Sequence, residues 1–384
     1  MLEPLGRSQV LAYLTRLSSK YQFTIISFEK QQDLLNVSEV FKLKAECAEY
    51  GIDWQPKRYH KSPRLLATLW DMSVLLFSTF KLSKGAGIEL VHCRSYIPAM
   101  AAWLVGKFTK VPFVFDMRAL WPEEMVDAKR LKRNSLMHKT LNYLEHRLIT
   151  DSMHIVSLTQ AAVPYLRKKY PGVAISKYSV IPTCVDLSRF NGNYQEKRQS
   201  IGTMGTVVSG WYHLDWLANT LVLAREIFDD TNIKIITKDR PHIIINEFEK
   251  VGLQKNSISI VACSANEVQA MLQQLKFAIL FFTSGVSKLG SAPTRMAEFL
   301  ACGIPILGNQ GVGDMASIIK KYNVGVVVQD GSQSALKEAL VNMKQLLNDP
   351  ELEKRCKETA KAIFSADIGA QSYSQIYYRV VNGL

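Results

Sequence analysis

Short apolar runs alternate with longer amphipathic stretches along almost the whole chain of 384 residues. In the first half the runs are FTIISFE (23–29), IELVH (88–92), PFVFD (112–116), HIVSLT (154–159) and YSVIP (178–182). Helix-period segments lie between them at 8–19, 31–50, 64–82, 98–108, 135–149 and 159–170. Strands that alternate with helices predict a parallel, doubly wound α/β sheet. DLSRFNGNYQEKRQ (186–199) is polar and turn-rich and reads as a linker. After it the alternation restarts, with strands at 200–205, 233–237, 257–261, 277–282, 305–309 and 324–328 and helices at 211–227 and 293–301. From Ser332 onward the pattern is helical, and its last segment, AQSYSQIYYRVV, is expected to return to the first half. The expected fold is therefore two Rossmann-like, doubly wound parallel-sheet domains facing across a cleft. They cover 1–185 and 186–365, and a crossing helix covers 366–384.

In open α/β sheets ligands bind beyond the carboxyl ends of the strands, so chemistry is expected just after each run. KLGSAPTRMAEFLACGIPILGN (288–309) follows such a run. Ser291 suits an N-cap and Pro293 the first turn. A helix N-terminus favours an anion such as phosphate, and Lys288, Thr294 and Arg295 sit beside it. Glu298, one turn on, can accept hydrogen bonds from a diol such as ribose, so the group describes a nucleotide site; a plain i,i+3 ion pair is the structural alternative. Gly205 and Thr206 in GTMGTVVSGW, Gly313 and Asp314 in GVGD, and Gly6 in EPLGRSQ add loops whose backbone can approach a phosphate. Asp116 and Arg118 in FDMRALWPEE, and His92 and Arg94 in VHCRSY, are charged groups at strand ends. They suit either a cleft or a structural ion pair, and His92 alone more often belongs to a core.

Charge is uneven. Residues 1–190 carry 27 Lys/Arg and 16 Asp/Glu, whereas 191–384 carry 20 and 18. KRYHKSPR (57–64) and KRLKR (129–133) concentrate it, which suits anionic lipid, phosphorylated ligands, nucleic acid or a solvated surface. LLATLWDMSVLLFSTF (65–80) is shorter than the ~20 residues of a membrane span and contains Asp71. It is expected to be a half-buried helix, with a membrane-surface helix as the other reading. The N-terminus has no basic stretch followed by an apolar run, so no signal peptide is read there. The six cysteines are scattered without a CxxC pair, which fits a reducing cytosol. No GxxxxGK[ST], GxGxxG, DxD, HExxH or GxSxG occurs, which disfavours P-loop NTPases, dehydrogenases, DxD-dependent sugar-nucleotide enzymes and common hydrolases.

EPLGRSQVLAYLTRLS, VHCRSYIPAMAA, FDMRALWPEEMVD, VIPTCVDLSRF and SAPTRMAEFLACGIPILGN together resemble the retaining GT-B glycosyltransferases of family 4, the "group 1" enzymes. The resemblance implies metal-independent transfer of a sugar from a nucleotide sugar, such as a UDP- or GDP-sugar, with no other cofactor. The acceptor it suggests is a saccharide, lipid-linked, in bacterial surface polysaccharide synthesis. It implies a cytoplasmic enzyme at the inner face of an anionic membrane, with no nucleic-acid partner. Glu298 matches the second acid of the family's E-x7-E motif, whereas the first acid falls on Gly290. The Arg and Lys that the family often has after the first strand of the second domain are missing from GTVVSGWYH, and Lys288 and Arg295 are the expected substitutes. The catalytic histidine of some relatives falls near Arg118, so Asp116, Arg118 and Arg94 stand as catalytic candidates without an assigned base. Relatives begin with a strand before EPLG, so about ten residues are expected to be absent. These departures keep open a catalytically impaired GT-B scaffold at the membrane. A nucleotide-sugar epimerase on the same fold, or a nucleic-acid binder suggested by charge alone, is the more distant alternative.

Overall fold

The protein is described by a computed structural model covering residues 1–85, 87–190, 198–228, 231–264 and 266–383. It divides into two compact units, Met1–Pro182 with Ala366–Leu384, and Thr183–Ser365.

The second unit holds one six-stranded, fully parallel sheet in the order β12-β11-β10-β7-β8-β9. Its strands are β7 (Ser200–Met204), β8 (Asn232–Ile236), β9 (Ile258–Val261), β10 (Leu275–Leu280), β11 (Ile306–Asn309) and β12 (Gly325–Val328). Alternate residues of β10 enter different cores. Phe277 and Ile279 join one with Leu217, Leu221 and Leu340, whereas Ala278 and Leu280 join the other with Met296, Leu300 and Ile319. A sheet buried on both faces must be apolar throughout, which explains the unbroken runs. Strand order reverses between β7 and β10, so the loops leaving these two neighbours diverge and leave a crevice. Of the linker expected at 186–199, Leu187–Phe190 forms a 3-10 turn whose Phe190 enters the core, and 191–197 lie outside the described residues.

In the first unit β1 (Phe23–Glu29) pairs in parallel with β2 (Ile52–Arg58), while β3 (Val91–Arg94), β4 (Phe113–Asp116), β5 (His154–Ser157) and β6 (Tyr178–Val180) form a separate parallel sheet. The strand IDWQPKR was not expected. Pro56 cannot donate to a ladder, and it is accommodated because β2 pairs only with β1. The segment 31–50 forms two helices, Gln31–Leu34 and Val37–Glu49, because Asn36 caps the second by accepting the Glu39 amide. The last helix, Ala366–Val381, packs on the helix Ala12–Leu17. Arg16 donates to Asp367 at 2.6 Å and Tyr21 to the Ser374 carbonyl at 3.1 Å. Tyr377 of this helix touches both Phe23 of β1 and His92 of β3, joining the two sheet pieces through side chains.

The apolar stretch 65–80 forms the half-buried helix expected of it. It lies in the helix Arg64–Gly85, which buries Ala67, Leu75 and Thr79, half-buries Asp71 and several of its apolar side chains, and leaves Leu65, Leu66, Leu69, Trp70 and Phe77 in solvent. A residue that is apolar on every face gives no period by which to tell the inner side from the outer.

Close approach governs β7. A Cβ on Gly202 would stand 1.7 Å from the Lys234 carbonyl oxygen of β8. Gly202→Ala is therefore expected to destabilise the second unit by about 1–3 kcal/mol or more through overpacking, read as a drop of several degrees in the melting temperature.

Candidate functional site

The crevice of the second unit is built from strand exits. β7 ends at Met204, and Gly205 follows with φ +131, where side chains are strained. The backbone conformation is what asks for glycine, since the Arg295 side chain, 3.8 Å from where a Cβ would stand, is at ordinary contact distance. Thr206 is exposed beside it. Across the crevice β10 runs into a 3-10 turn, Ser287–Gly290, and then into the helix Thr294–Ala301. The expected cap at Ser291 is not formed. Its amide closes a turn on the Lys288 carbonyl at 3.1 Å, and the helix begins one step after Pro293, with no side chain capping its N-terminus.

Arg295 and Glu298 form a short ion pair on the first turn of that helix, with the carboxylate mostly buried. Lys288 is only 6% exposed, and its Nζ stands 2.8 Å from the centroid of the Trp211 ring. The Lys288 carbonyl accepts the Gly313 amide at 2.8 Å, which ties the GVGD loop to this turn, and Asp314 follows at the N-cap of the helix Met315–Tyr322. Gly205, Arg295, Glu298, Lys288, Gly313 and Asp314 thus gather around the exits of β7, β10 and β11, with Thr294 at the helix start. Gly290, where a family-4 enzyme has its first acid, is buried.

Two residues here escaped the sequence reading. Asp239, after β8, accepts the amides of Val207 and Val208 at 2.7 and 3.2 Å, so its carboxylate already occupies donors of the glycine loop. Its only signal was the charged run TKDR directly after a strand. Trp211 lay within a quoted motif, but nothing in the sequence showed that its ring meets Lys288. Cys263, after β9, has its thiol raised by burial despite the neighbouring Arg295 and Lys238.

The charged group of the first unit centres on Asp116, at the end of β4, which has no exposed surface. Its oxygens lie 3.6 Å from Arg118, 3.7 Å from Arg94 and 3.5 Å from His92, and accept the Tyr373 hydroxyl at 3.0 Å. Burial would raise the carboxyl, but Arg118, His92 and Arg94 outweigh it and hold the group well below the ordinary range. Arg94 is itself lowered by burial and by Arg118, while burial and Asp116 raise the Tyr373 phenol. Arg118 and Ser95 both adopt positive φ, +60 and +81, beside this carboxylate. Such strain persists only where the surroundings hold it. Asp116 therefore orients Arg94 and Arg118, of which Arg94 keeps one third of its side chain exposed. Gly6 stands apart from these groups for a packing reason, because a Cβ there would lie 2.4 Å from the Met1 Cα.

Residues 9–189 match the family described as Glycosyltransferase Family 4, and residues 218–363 match Glycosyl transferases group 1. No curated protein matches the sequence. Among solved structures, Anabaena HepE in complex with UDP is 11% identical with a TM-score of 0.70, covering 96% of this chain and 95% of that one. Sucrose-phosphate synthase from Thermosynechococcus elongatus is 14% identical, with a TM-score of 0.64 and coverage of 95% and 100%. WaaG, a glycosyltransferase involved in lipopolysaccharide biosynthesis, is 14% identical, with a TM-score of 0.61 and coverage of 91% and 98%. These likenesses establish the fold as GT-B.

Breaking the buried cluster tests its role. Asp116→Asn is expected to cost about 3 kcal/mol at neutral pH, because it leaves buried guanidinium charge uncompensated. The folded carboxyl titrates below its unfolded value of about 3.9, so ionised Asp116 stabilises at every pH above that value and the effect fades as pH falls through the folded one. Denaturant melts should show a gap between wild type and variant that is constant from pH 7 to 5 and narrows below about pH 4.

Proposed function

The chain belongs to the family 4 glycosyltransferases, and from that premise we propose that it transfers a sugar from a nucleotide sugar to a membrane-borne saccharide acceptor with retention of anomeric configuration. The observation that carries this reading is the gathering of Gly205, Lys288, Arg295 and Glu298 where strand order reverses in the second unit. Glu298 accepts the ribose hydroxyls. Arg295, Lys288 and the uncapped helix start at Thr294 receive the diphosphate, with Gly205 and Thr206 giving it room. The cost of entry is the Arg295–Glu298 pair, which donor binding exchanges for two new partners: ribose for the carboxylate and phosphate for the guanidinium.

In the step itself the bond from the anomeric carbon to the phosphate oxygen breaks, and a bond to the acceptor oxygen forms on the same face. The acceptor proton passes to the departing diphosphate, which serves as the base. The chain's contribution is electrostatic, since fixed charges aimed at developing negative charge need no reorganisation as the reaction proceeds. We assign that charge to Lys288 and Arg295 and assign no metal. Within the first unit, Arg94 and Arg118 beside Asp116 are the charged candidates for contact with the acceptor. WaaG's part in lipopolysaccharide biosynthesis, and the excess of basic residues in 1–190, support an acceptor in surface polysaccharide synthesis, met at the cytoplasmic face of an anionic membrane.

A second reading is favoured by two observations. Gly290 supplies no carboxylate where the family has one, and Asp239 already occupies the Val207 and Val208 amides. Under it the chain binds a nucleotide sugar without turning it over and serves as a scaffold.

Thermal shift against a panel of UDP- and GDP-sugars separates these readings. A stabilising donor should lose its effect in Glu298→Ala. Arg295→Ala and Lys288→Ala should each raise the donor KM roughly tenfold to a hundredfold, as expected for one charge-assisted hydrogen bond of about 1.5–3 kcal/mol. Donor stabilisation without turnover on any saccharide acceptor would favour the scaffold, and unchanged donor affinity in all three variants would sink both readings.

A further inference from the structure

The helix Arg64–Gly85 is long and apolar enough to cross a membrane by length and composition, yet it stands between β2 and β3 of a single compact unit. A spanning helix would put those strands on opposite sides of a bilayer, so this one lies along a surface. Its outward line is Leu66, Trp70, Ser73, Phe77 and Lys81, at helical spacing, with Trp70 61% and Phe77 69% exposed. Leu65 and Leu69 widen the line. The uncharged polar group within it is satisfied internally, because the Ser73 hydroxyl donates to the Leu69 carbonyl at 2.9 Å. The helix packs on its neighbour Tyr96–Thr109, which presents Leu104 and Phe108 to solvent, the latter 76% exposed.

The exposed charges of the helix itself are lysines. The single acid of the helix, Asp71, is turned inward and held by His60, whose ring lies 2.6 Å away and whose amide donates at 2.9 Å. Lys61, Lys81 and Lys84 are exposed on or beside the helix, and Lys107 and Lys110 on or beside its neighbour. Lys84 lies over Phe80 and Lys107 over Trp103, at 4.9 and 4.0 Å from the ring centroids. Apolar side chains with a tryptophan, rimmed by lysines, match the boundary between acyl chains and anionic headgroups. We propose that the outward face of helix Arg64–Gly85, with Phe108 beside it, docks this protein on an anionic membrane surface. The purpose of the docking rests on the membrane-borne acceptor of the proposed function, but the binding itself needs neither donor nor acceptor.

The test uses the full chain and vesicle flotation, with vesicles of phosphatidylcholine alone or with about one third phosphatidylglycerol, and compares wild type with W70S/F77S and K81E/K84E. Wild type should float with the anionic vesicles and not with the neutral ones. Each variant should bind at least about tenfold more weakly, with its melting temperature and its stabilisation by donor unchanged. Size-exclusion chromatography of the same proteins adds a readout that does not depend on lipid. A wild-type dimer that becomes monomeric in W70S/F77S would assign the face to a second copy and overturn the proposal. Vesicle binding equal to wild type in both variants, or no wild-type binding to anionic vesicles, would overturn it too. Loss of donor stabilisation with vesicle binding intact would count against the proposed function alone.

Discussion

The structure of the second unit depends on one constraint: every strand of its sheet is parallel, so every strand exit lies on the same edge. Where strand order reverses, two adjacent exits turn to opposite faces and cannot close over each other. Gly205 leaves one of these strands and the turn bearing Lys288 leaves the other. The chain therefore needs no special architecture to bring them together. It needs only residues at the exits that do not fill the space, and Gly205, whose positive φ suits glycine, is such a residue.

Arg295 and Glu298 hold one another when no ligand is present, an arrangement that serves stability and binding in different ways. A half-exposed i,i+3 pair contributes little to the fold, about 0.5 kcal/mol or less. Its value is that neither charge must be held bare on the first turn of the helix, and both remain available for exchange. Asp239 on the Val207 and Val208 amides poses a harder condition. A carboxylate taking two backbone donors is a strong local arrangement, so those two amides are already engaged, and the positive side chains at the crevice are Lys288 and Arg295. The loss of the basic pair after β7 and the presence of this capping acid belong to the same local solution.

The fold was legible because the two cores of the second unit demand apolar residues at most strand positions, and strands such as FAILFF show it. β2 was hidden because an edge strand tolerates proline and polar residues, so IDWQPKR carries little of the usual signal. Of the site, what was legible lay in single segments: Glu298, Arg295 and Lys288 are close in sequence and fall at one strand exit. What was hidden lay between segments. Asp239 meets Val207 from more than thirty residues away, and Trp211 meets Lys288 across the crevice. Asp116 was recognised as a charged strand end, but only its burial, with Tyr373 arriving from the last helix, separates an orienting carboxylate from one that meets a substrate.

Helix Arg64–Gly85 shows the same limit in another form. Its composition fits a core helix and a surface helix equally well, because amphipathic periodicity marks the buried side only when the other side is polar. Here the side that faces the protein carries Asp71 and Thr79 beside Ala67 and Leu75, and the side that faces solvent carries leucine, tryptophan and phenylalanine. In water this arrangement exposes apolar area without compensation, and contiguous exposed apolar area of this kind marks a place of contact. The inward turn of the helix's only acid bears on the sort of contact: Asp71 is held by His60 away from the outward face, while exposed lysines stand at the rim.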